Sequence, residues 1–241
     1  MMPSDLQLNT TTTSALPDQY ALGVTPIHSS QNEIHEWLDS LSIPALNKIC
    51  PAGSLPSHCL KTKREQEFLL GRECAESQLH AWGEYSAVEV NEDRSPAWPQ
   101  GFVGSISHSD KWVWASVARD VDLRSIGIDT EIVADAKTEN QLRTEIATEK
   151  EWKTAAKTGL NPRQQFSVVF SAKEAFYKCW YPINPRYFDF ADAIVTSASR
   201  KRLTIKTARS NPNFGTQPKE LNIYFFVNKN EVFTITWMEH K

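Results

Sequence analysis

Phe170-Ser171-Ala172-Lys173-Glu174-Ala175-Phe176-Tyr177-Lys178-Cys179-Trp180 is the stretch from which the rest of this chain can be read. Wound as a helix at about 100° per residue, it puts Ser167, Ser171, Glu174 and Lys178 on one polar stripe. Phe166, Val169, Phe170, Ala172, Phe176, Cys179 and Trp180 fill the other side, and Lys173 falls inside that apolar arc. The spacing predicts a core helix over residues 163–180, ended by Pro182 and Pro185, which cannot continue it. Taken alone, Glu174 and Lys178 are an i,i+4 ion pair worth roughly 0.2–0.5 kcal/mol. What gives them weight is the sequence around them.

Upstream, residues 125–131 read as a strand, on which Asp129 and Glu131 point the same way because side chains repeat every second residue. Residues 102–107 form a short strand ending in Ser107-His108, with residues 112–118 as its hairpin partner. Residues 61–82 predict a helix closed by Gly83. Arg64 and Arg72 lie about two turns apart on it, within reach of one side. Further out, residues 20–28 read as a first strand, 32–41 as a helix, 84–90 as a strand and 133–159 as largely helical, anchored by Trp152. Residues 193–207, 219–228 and 232–237 read as an antiparallel meander with a turn at Asn211-Pro212-Asn213. Each half thus offers helices followed by strands, which predicts an α+β chain of two similar lobes. Residues 1–18 are expected to be a flexible arm, 19–122 an N-terminal lobe and 123–241 a C-terminal lobe.

Composition narrows the function classes. The chain has 241 residues, 40% hydrophobic and 23% charged, ordinary for a globular protein with a real core. A net charge of −3 argues against a general nucleic-acid binder. No apolar run is long enough to span a bilayer, and no basic n-region marks a secretory signal, so a cytoplasmic location is expected. Cys50, Cys59, Cys74 and Cys179 form no Cys-x-x-Cys pair, which predicts free thiols in a reducing compartment.

Asp129, Glu131 and Glu174 are the hard-oxygen set that Mg²⁺ uses, although paired acids at a strand edge are as readily explained as solvated side chains. Arg64, Arg72, His108 and Lys178 are groups suited to an anionic, phosphate-bearing substrate. Gly101-Phe102-Val103-Gly104-Ser105 lacks the Gly-Lys-Ser/Thr of a phosphate-binding P-loop. Ser107 and His108, being adjacent on a strand, face opposite ways and make a poor hydrolase pair.

Three ordered blocks carry a resemblance. Gly104-Ser105-Ile106-Ser107-His108-Ser109, Gly127-Ile128-Asp129-Thr130-Glu131 and Phe170 through Lys178 resemble the signature blocks of the 4′-phosphopantetheinyl transferases, in the variant of enterobactin-synthase component D type. Lys63-Arg64 through Gly71-Arg72 and Pro96-Ala97-Trp98-Pro99-Gln100-Gly101 are similar to that subgroup's upstream blocks. The resemblance implies a pseudodimer of two α+β lobes with coenzyme A in the cleft between them. It implies transfer of the phosphopantetheine arm of coenzyme A to a serine of an apo acyl, aryl or peptidyl carrier protein domain, with release of adenosine 3′,5′-bisphosphate. Asp129, Glu131 and Glu174 would be the Mg²⁺ ligands. Arg64, Arg72, Arg94, Ser107, His108 and Lys178 would contact coenzyme A. Glu174, Lys178 or a water on the metal would take the serine proton. Thr130 stands where the family often has Ile. The expected role is siderophore-type nonribosomal peptide synthesis by a monomer; polyketide or polyunsaturated fatty-acid synthase carriers, and a Mg²⁺-dependent phosphodiester hydrolase, are the alternatives. Trp180, Tyr181, Tyr187 and Phe188 are expected to form an apolar docking patch for the carrier.

Overall fold

The computed structural model describes residues 25–54, 62–208 and 220–240. The expected arm at 1–18, Lys61, Cys59 and the turn at Asn211-Pro212-Asn213 lie outside them.

Strand β5 (Trp112–Arg119) is the middle of a three-stranded antiparallel sheet, between β1 (Leu46–Pro51) and β4 (Phe102–His108). Its alternation serves two faces, both buried. Val113, Ala115 and Val117 receive Leu70, Cys74, Ala75 and Leu79 of α2 (Lys63–Ala81). Trp112, Trp114 and Ala118 face the opposite way, onto Ile34 and Leu38 of α1 (Thr25–Ser40) and onto apolar residues of a second sheet. Helix α2 starts where a capping box satisfies its first backbone donors: Thr62 Oγ1 accepts from Glu65 N at 3.2 Å and Glu65 Oε2 from Thr62 N at 2.8 Å.

The second sheet is antiparallel throughout. It runs β6 (Ser125–Ile132), β10 (Glu231–Met238), β9 (Glu220–Asn228), β8 (Arg202–Thr207) and β7 (Ala193–Ser199). One face meets the first sheet through Ile126, Ile128, Phe233 and Ile235. The other is covered by α5 (Pro162–Trp180), whose Phe166, Val169 and Phe176 pack in one core with Val195, Leu203, Ile205 and Phe225. Helix α3 (Ala136–Ile146) and helix α4 (Glu149–Ala155) precede α5, which begins at an Asn161 cap followed by Pro162.

The two sheets meet at β4 and β6 through serine hydroxyls. Ser105 Oγ accepts from Ile128 N and Ser107 Oγ from Thr130 N, each at 3.2 Å.

Several expectations change here. Residues 25–28 open helix α1; the rest of the segment expected as a first strand lies outside the described residues. Of residues 84–90, only Glu89–Val90 (β2) is a strand, paired with β3 (Pro96–Ala97). Ladder donors there are taken locally: Glu84 Oε1 accepts from Ser86 N at 2.7 Å and Glu76 Oε1 from Val88 N at 3.1 Å. The serines of the α5 polar stripe face protein. Ser167 Oγ accepts from Ala134 N at 2.8 Å, and the buried Ser171 shares a 2.8 Å hydrogen bond with Thr234.

Candidate active site

Gly127 sets the site's geometry. A Cβ built on it would lie 2.0 Å from Ala175 O and 2.5 Å from Cys179 N, so only glycine lets α5 lie this close to β6. Ser125 Oγ donates to Cys179 O at 2.6 Å and holds the same contact. The next outward-alternating residues on that face of β6 are Asp129 and Glu131, which therefore come up beside Glu174 and Lys178.

Asp129 is 3% exposed. Its Oδ1 accepts from Lys178 Nζ at 2.7 Å and from the Ser107 hydroxyl at 2.9 Å, and Lys178 Nζ also donates to Ser107 Oγ at 3.0 Å. One residue from each of the three sequence blocks thus meets at a single point. Asp129 Oδ2 is buried and, among the described residues, has no hydrogen-bond partner. A carboxylate oxygen buried without a partner is costly and is the kind of group a cation satisfies.

The other acids sense that charge. Burial pushes the Glu131 carboxyl up to about 8, with Asp129 adding to the rise, Lys178 opposing it and Glu174 adding more. Burial also raises Glu174; Lys178 opposes and Asp129 reinforces. This donor set suits a hard divalent cation such as Mg²⁺, which uses carboxylates, water and phosphate oxygens. Among the described residues, however, no group of three His, Cys, Asp or Glu side chains stands arranged as a preformed metal cage. The orphaned oxygen and the mutual repulsion of the acids carry the fit.

The cluster lies between clefts. Arg94, Trp98, Tyr177, Lys178 and Tyr181 line one of about 490 Å³. Arg64, Glu67, His108 and Glu131 line another of about 640 Å³. Glu174 opens with Tyr187 onto a third, of about 170 Å³. His108 Nδ1 is 3.3 Å from Glu67 Oε2, a partner that sequence reasoning missed although Glu67 lies one turn from Arg64 on α2. Arg94 has a left-handed backbone (φ 70°), fixing the loop that Tyr181 also holds by donating to Asp93 Oδ2 at 2.7 Å.

Arg72 behaves differently from Arg64. Its guanidinium lies over the Phe68 ring, 4.9 Å from the centroid, with Nη2 3.4 Å from Glu89 O. Burial lowers its pKa, with Glu76 and Glu89 opposing. The expected aromatic docking patch divides as well. Trp180, stacked on Phe176, and Phe188, edge-on to the same ring, are core residues, whereas Tyr187 is 78% exposed.

Lys173, the residue out of place in the apolar arc, has a structural explanation. It is 1% exposed and its Nζ donates to Glu151 Oε1 at 2.8 Å, Ile146 O at 2.7 Å and Phe190 O at 3.0 Å. Burial holds its pKa below the ordinary lysine range against the pull of Glu151. The signal was in the sequence: a lysine on an apolar face needs a buried acid, and Thr148-x-x-Glu151 is a capping box that delivers one.

Residues 57–118 match the family model described as 4′-phosphopantetheinyl transferase N-terminal domain, and residues 125–236 match that of the 4′-phosphopantetheinyl transferase superfamily. The chain is 36% identical over 135 residues to the 4′-phosphopantetheinyl transferase Npt of Nocardia iowensis, covering 56% of this chain and 60% of that protein. It is 34% identical over 135 residues to the 4′-phosphopantetheinyl transferase PptT of Mycobacterium tuberculosis, covering 56% and 59%. It is 35% identical over 116 residues to enterobactin synthase component D of Escherichia coli strain K12, covering 48% and 54%. The chain therefore spans little more than half the length of these relatives. Among the described residues no helix is long and apolar enough to cross a membrane.

Proposed function

We propose, from the premise that this chain belongs to the 4′-phosphopantetheinyl transferase superfamily, that it transfers the 4′-phosphopantetheine arm of coenzyme A to a serine of an apo carrier protein. The acceptor hydroxyl forms a bond to the phosphorus that bears the pantetheine. The bond from that phosphorus to the bridging pyrophosphate oxygen breaks, and adenosine 3′,5′-bisphosphate leaves. The observation that carries this reading is the meeting of Ser107, Asp129 and Lys178, with the unpaired Asp129 Oδ2 beside them.

The geometry supports the following assignment of roles. Lys178, 28% exposed, keeps one side of its ammonium toward Asp129 and Ser107 and turns the rest to the Arg94 cleft, where it would hold a phosphate oxygen. Arg64 and His108 would hold further phosphate oxygens from the neighbouring cleft. Glu174 is the candidate base: a buried carboxylate with a raised pKa takes a proton more readily than an ordinary one, and a serine hydroxyl needs such help. Mg²⁺ held by Asp129, Glu131 and Glu174 would supply positive charge where the pyrophosphate develops negative charge. On this reading the sheet under α2 and the sheet under α5 are the halves of a pseudodimer, with coenzyme A between them.

The acceptor is proposed to be a carrier domain of siderophore-type nonribosomal peptide synthesis, supported by the similarity to enterobactin synthase component D. A panel of apo aryl, peptidyl and acyl carrier domains, incubated with the protein, coenzyme A and Mg²⁺, tests both claims. The expected result is a phosphopantetheine mass gain, fastest on siderophore-type domains. No gain on any carrier would overturn the transferase reading, and faster gain on polyketide-type carriers would redirect the pathway.

A further inference from the structure

Away from the site, β1 and α2 each carry a cysteine. Cys74 Sγ donates to Cys50 Sγ at 3.0 Å, across 24 positions of sequence, and both are free thiols. A disulfide holds its sulfurs about 2.05 Å apart, so closing this pair needs an approach of only about 1 Å. Access is one-sided. Cys50 is half-buried and Cys74 is 2% exposed in the packing between α2 and the sheet. The hydrogen bond from Cys74, followed by the nearby Lys48, lowers the Cys50 thiol to about 7 against burial and the charge of Glu73; the same bond raises Cys74. Cys179, by contrast, is buried without an accessible side, and burial pushes it up to about 12. The thiolate is the nucleophile in disulfide exchange, so these surroundings give Cys50 the first step.

We propose that Cys50 and Cys74 are a redox-active dithiol that low-molecular-weight disulfides convert into a bond stapling β1 to α2. The Cys50 thiolate attacks one sulfur of the oxidant, forming a mixed disulfide and expelling one thiolate. In that adduct the thiolate acceptor that held the Cys74 proton is gone. The Cys74 proton passes to the expelled thiolate or to water, and Cys74 sulfur attacks Cys50 sulfur and expels the second thiol. Two protein thiols are oxidised and one small disulfide is reduced to two thiols. The staple fixes the helix that presents Arg64 and Glu67, and because the sulfurs already touch, it does so without rearranging the sheet. This inference does not depend on the proposed transferase activity.

The test uses the full chain carrying Cys59→Ser, which leaves Cys50, Cys74 and Cys179. After incubation with oxidised glutathione and quenching with N-ethylmaleimide, intact mass should fall by about 2 Da before alkylation is counted, as two hydrogens leave. Non-reducing proteolysis should yield one cross-linked peptide joining Cys50 to Cys74. Tm should rise by roughly 5 °C and fall back on reduction, since the bond closes a loop of the unfolded chain. A lasting glutathione adduct on Cys50, a bond to Cys179, or a Cys50–Cys74 bond with no gain in Tm would each overturn the proposal. In the Cys74→Ser variant the adduct on Cys50 should persist. Should that variant fail to fold, the order of iodoacetamide labelling in the parent decides: Cys50 first supports the proposal, and Cys74 or Cys179 first contradicts it.

Discussion

Helix α5 carries two lysines five positions apart, each paired with a buried carboxylate, and the two clusters are finished to different degrees. Lys173 spends its ammonium hydrogens on Glu151, Ile146 O and Phe190 O. Glu151 in turn accepts from Val195 N at 3.0 Å and from Thr148 N and Oγ1 at 2.9 and 2.8 Å. The cluster ties α3, α4, α5 and β7 together, and although Lys173 borders the cleft beside Glu174, its ammonium is spent on these protein partners. Lys178 and Asp129 form the same chemical pair, yet Lys178 opens onto a cleft and Asp129 keeps one oxygen unpaired. A completed ion cluster holds a fold; an incomplete one beside a cleft is available for chemistry.

Breaking the closed cluster should have the largest effect on stability. Lys173→Met leaves Glu151 buried without its cation and should cost about 3–5 kcal/mol, read by chemical denaturation. A loss under about 1 kcal/mol would remove the structural role assigned to the pair. Gly127→Ala comes next. The added methyl collides with backbone atoms of α5, so stability should fall by about 1–3 kcal/mol and Lys178 should be displaced from Asp129. Phosphopantetheinyl transfer should drop by more than the stability loss explains; normal transfer would mean the close approach is not what builds the site.

A gentler probe is pH. Burial works to raise the Glu151 carboxyl, but the bonds from Lys173, Thr148 and Val195 outweigh it and hold the pKa below the ordinary glutamate range. A depressed folded pKa contributes stability above the unfolded value, about 4.3, that is lost as pH falls through the folded one. Acid denaturation curves should therefore show a limb below about pH 4 that Glu151→Gln lacks. Identical curves would show that Glu151 is not held ionised by its partners. The smallest contrast compares the two arginines of α2. Arg64→Ala should raise the KM for coenzyme A with Tm unchanged, because Arg64 is exposed in a cleft. Arg72→Ala should remove a ring contact worth about 0.5–1 kcal/mol and lower Tm by a few degrees. The reverse pattern would make Arg72, which the sequence resemblance implies contacts coenzyme A, the phosphate contact in place of Arg64.

Much of this arrangement is legible in the residues. The helical period of α5, the strand alternation at Asp129 and Glu131 and the hairpin around Ser107 follow from local pattern, and the structure has all three. The hidden part is tertiary. Periodicity assigned Ser167 and Ser171 to a polar edge, but could not say that the edge faces β10 and the loop after β6. It marked Arg64 and Arg72 as one side of a helix, whereas Phe68, between them, captures only Arg72. Residues 84–90 have strand propensity at their end, but Glu84 and Glu76 claim the backbone donors first. The aromatics after α5 looked alike in sequence; packing on Phe176 separates Phe188 from the exposed Tyr187.

The most direct test of the contrast between the clusters sets Lys173→Met beside Lys178→Met, measuring Tm and the rate of holo-carrier formation from coenzyme A for both. The account predicts that Lys178→Met, whose ammonium is partly open to solvent, loses less Tm than Lys173→Met while transfer falls by roughly 100-fold or more. Lys173→Met should lose stability first, and any folded fraction should retain transfer. Lys178→Met transferring at the parental rate, or unfolding as Lys173→Met does, would contradict it.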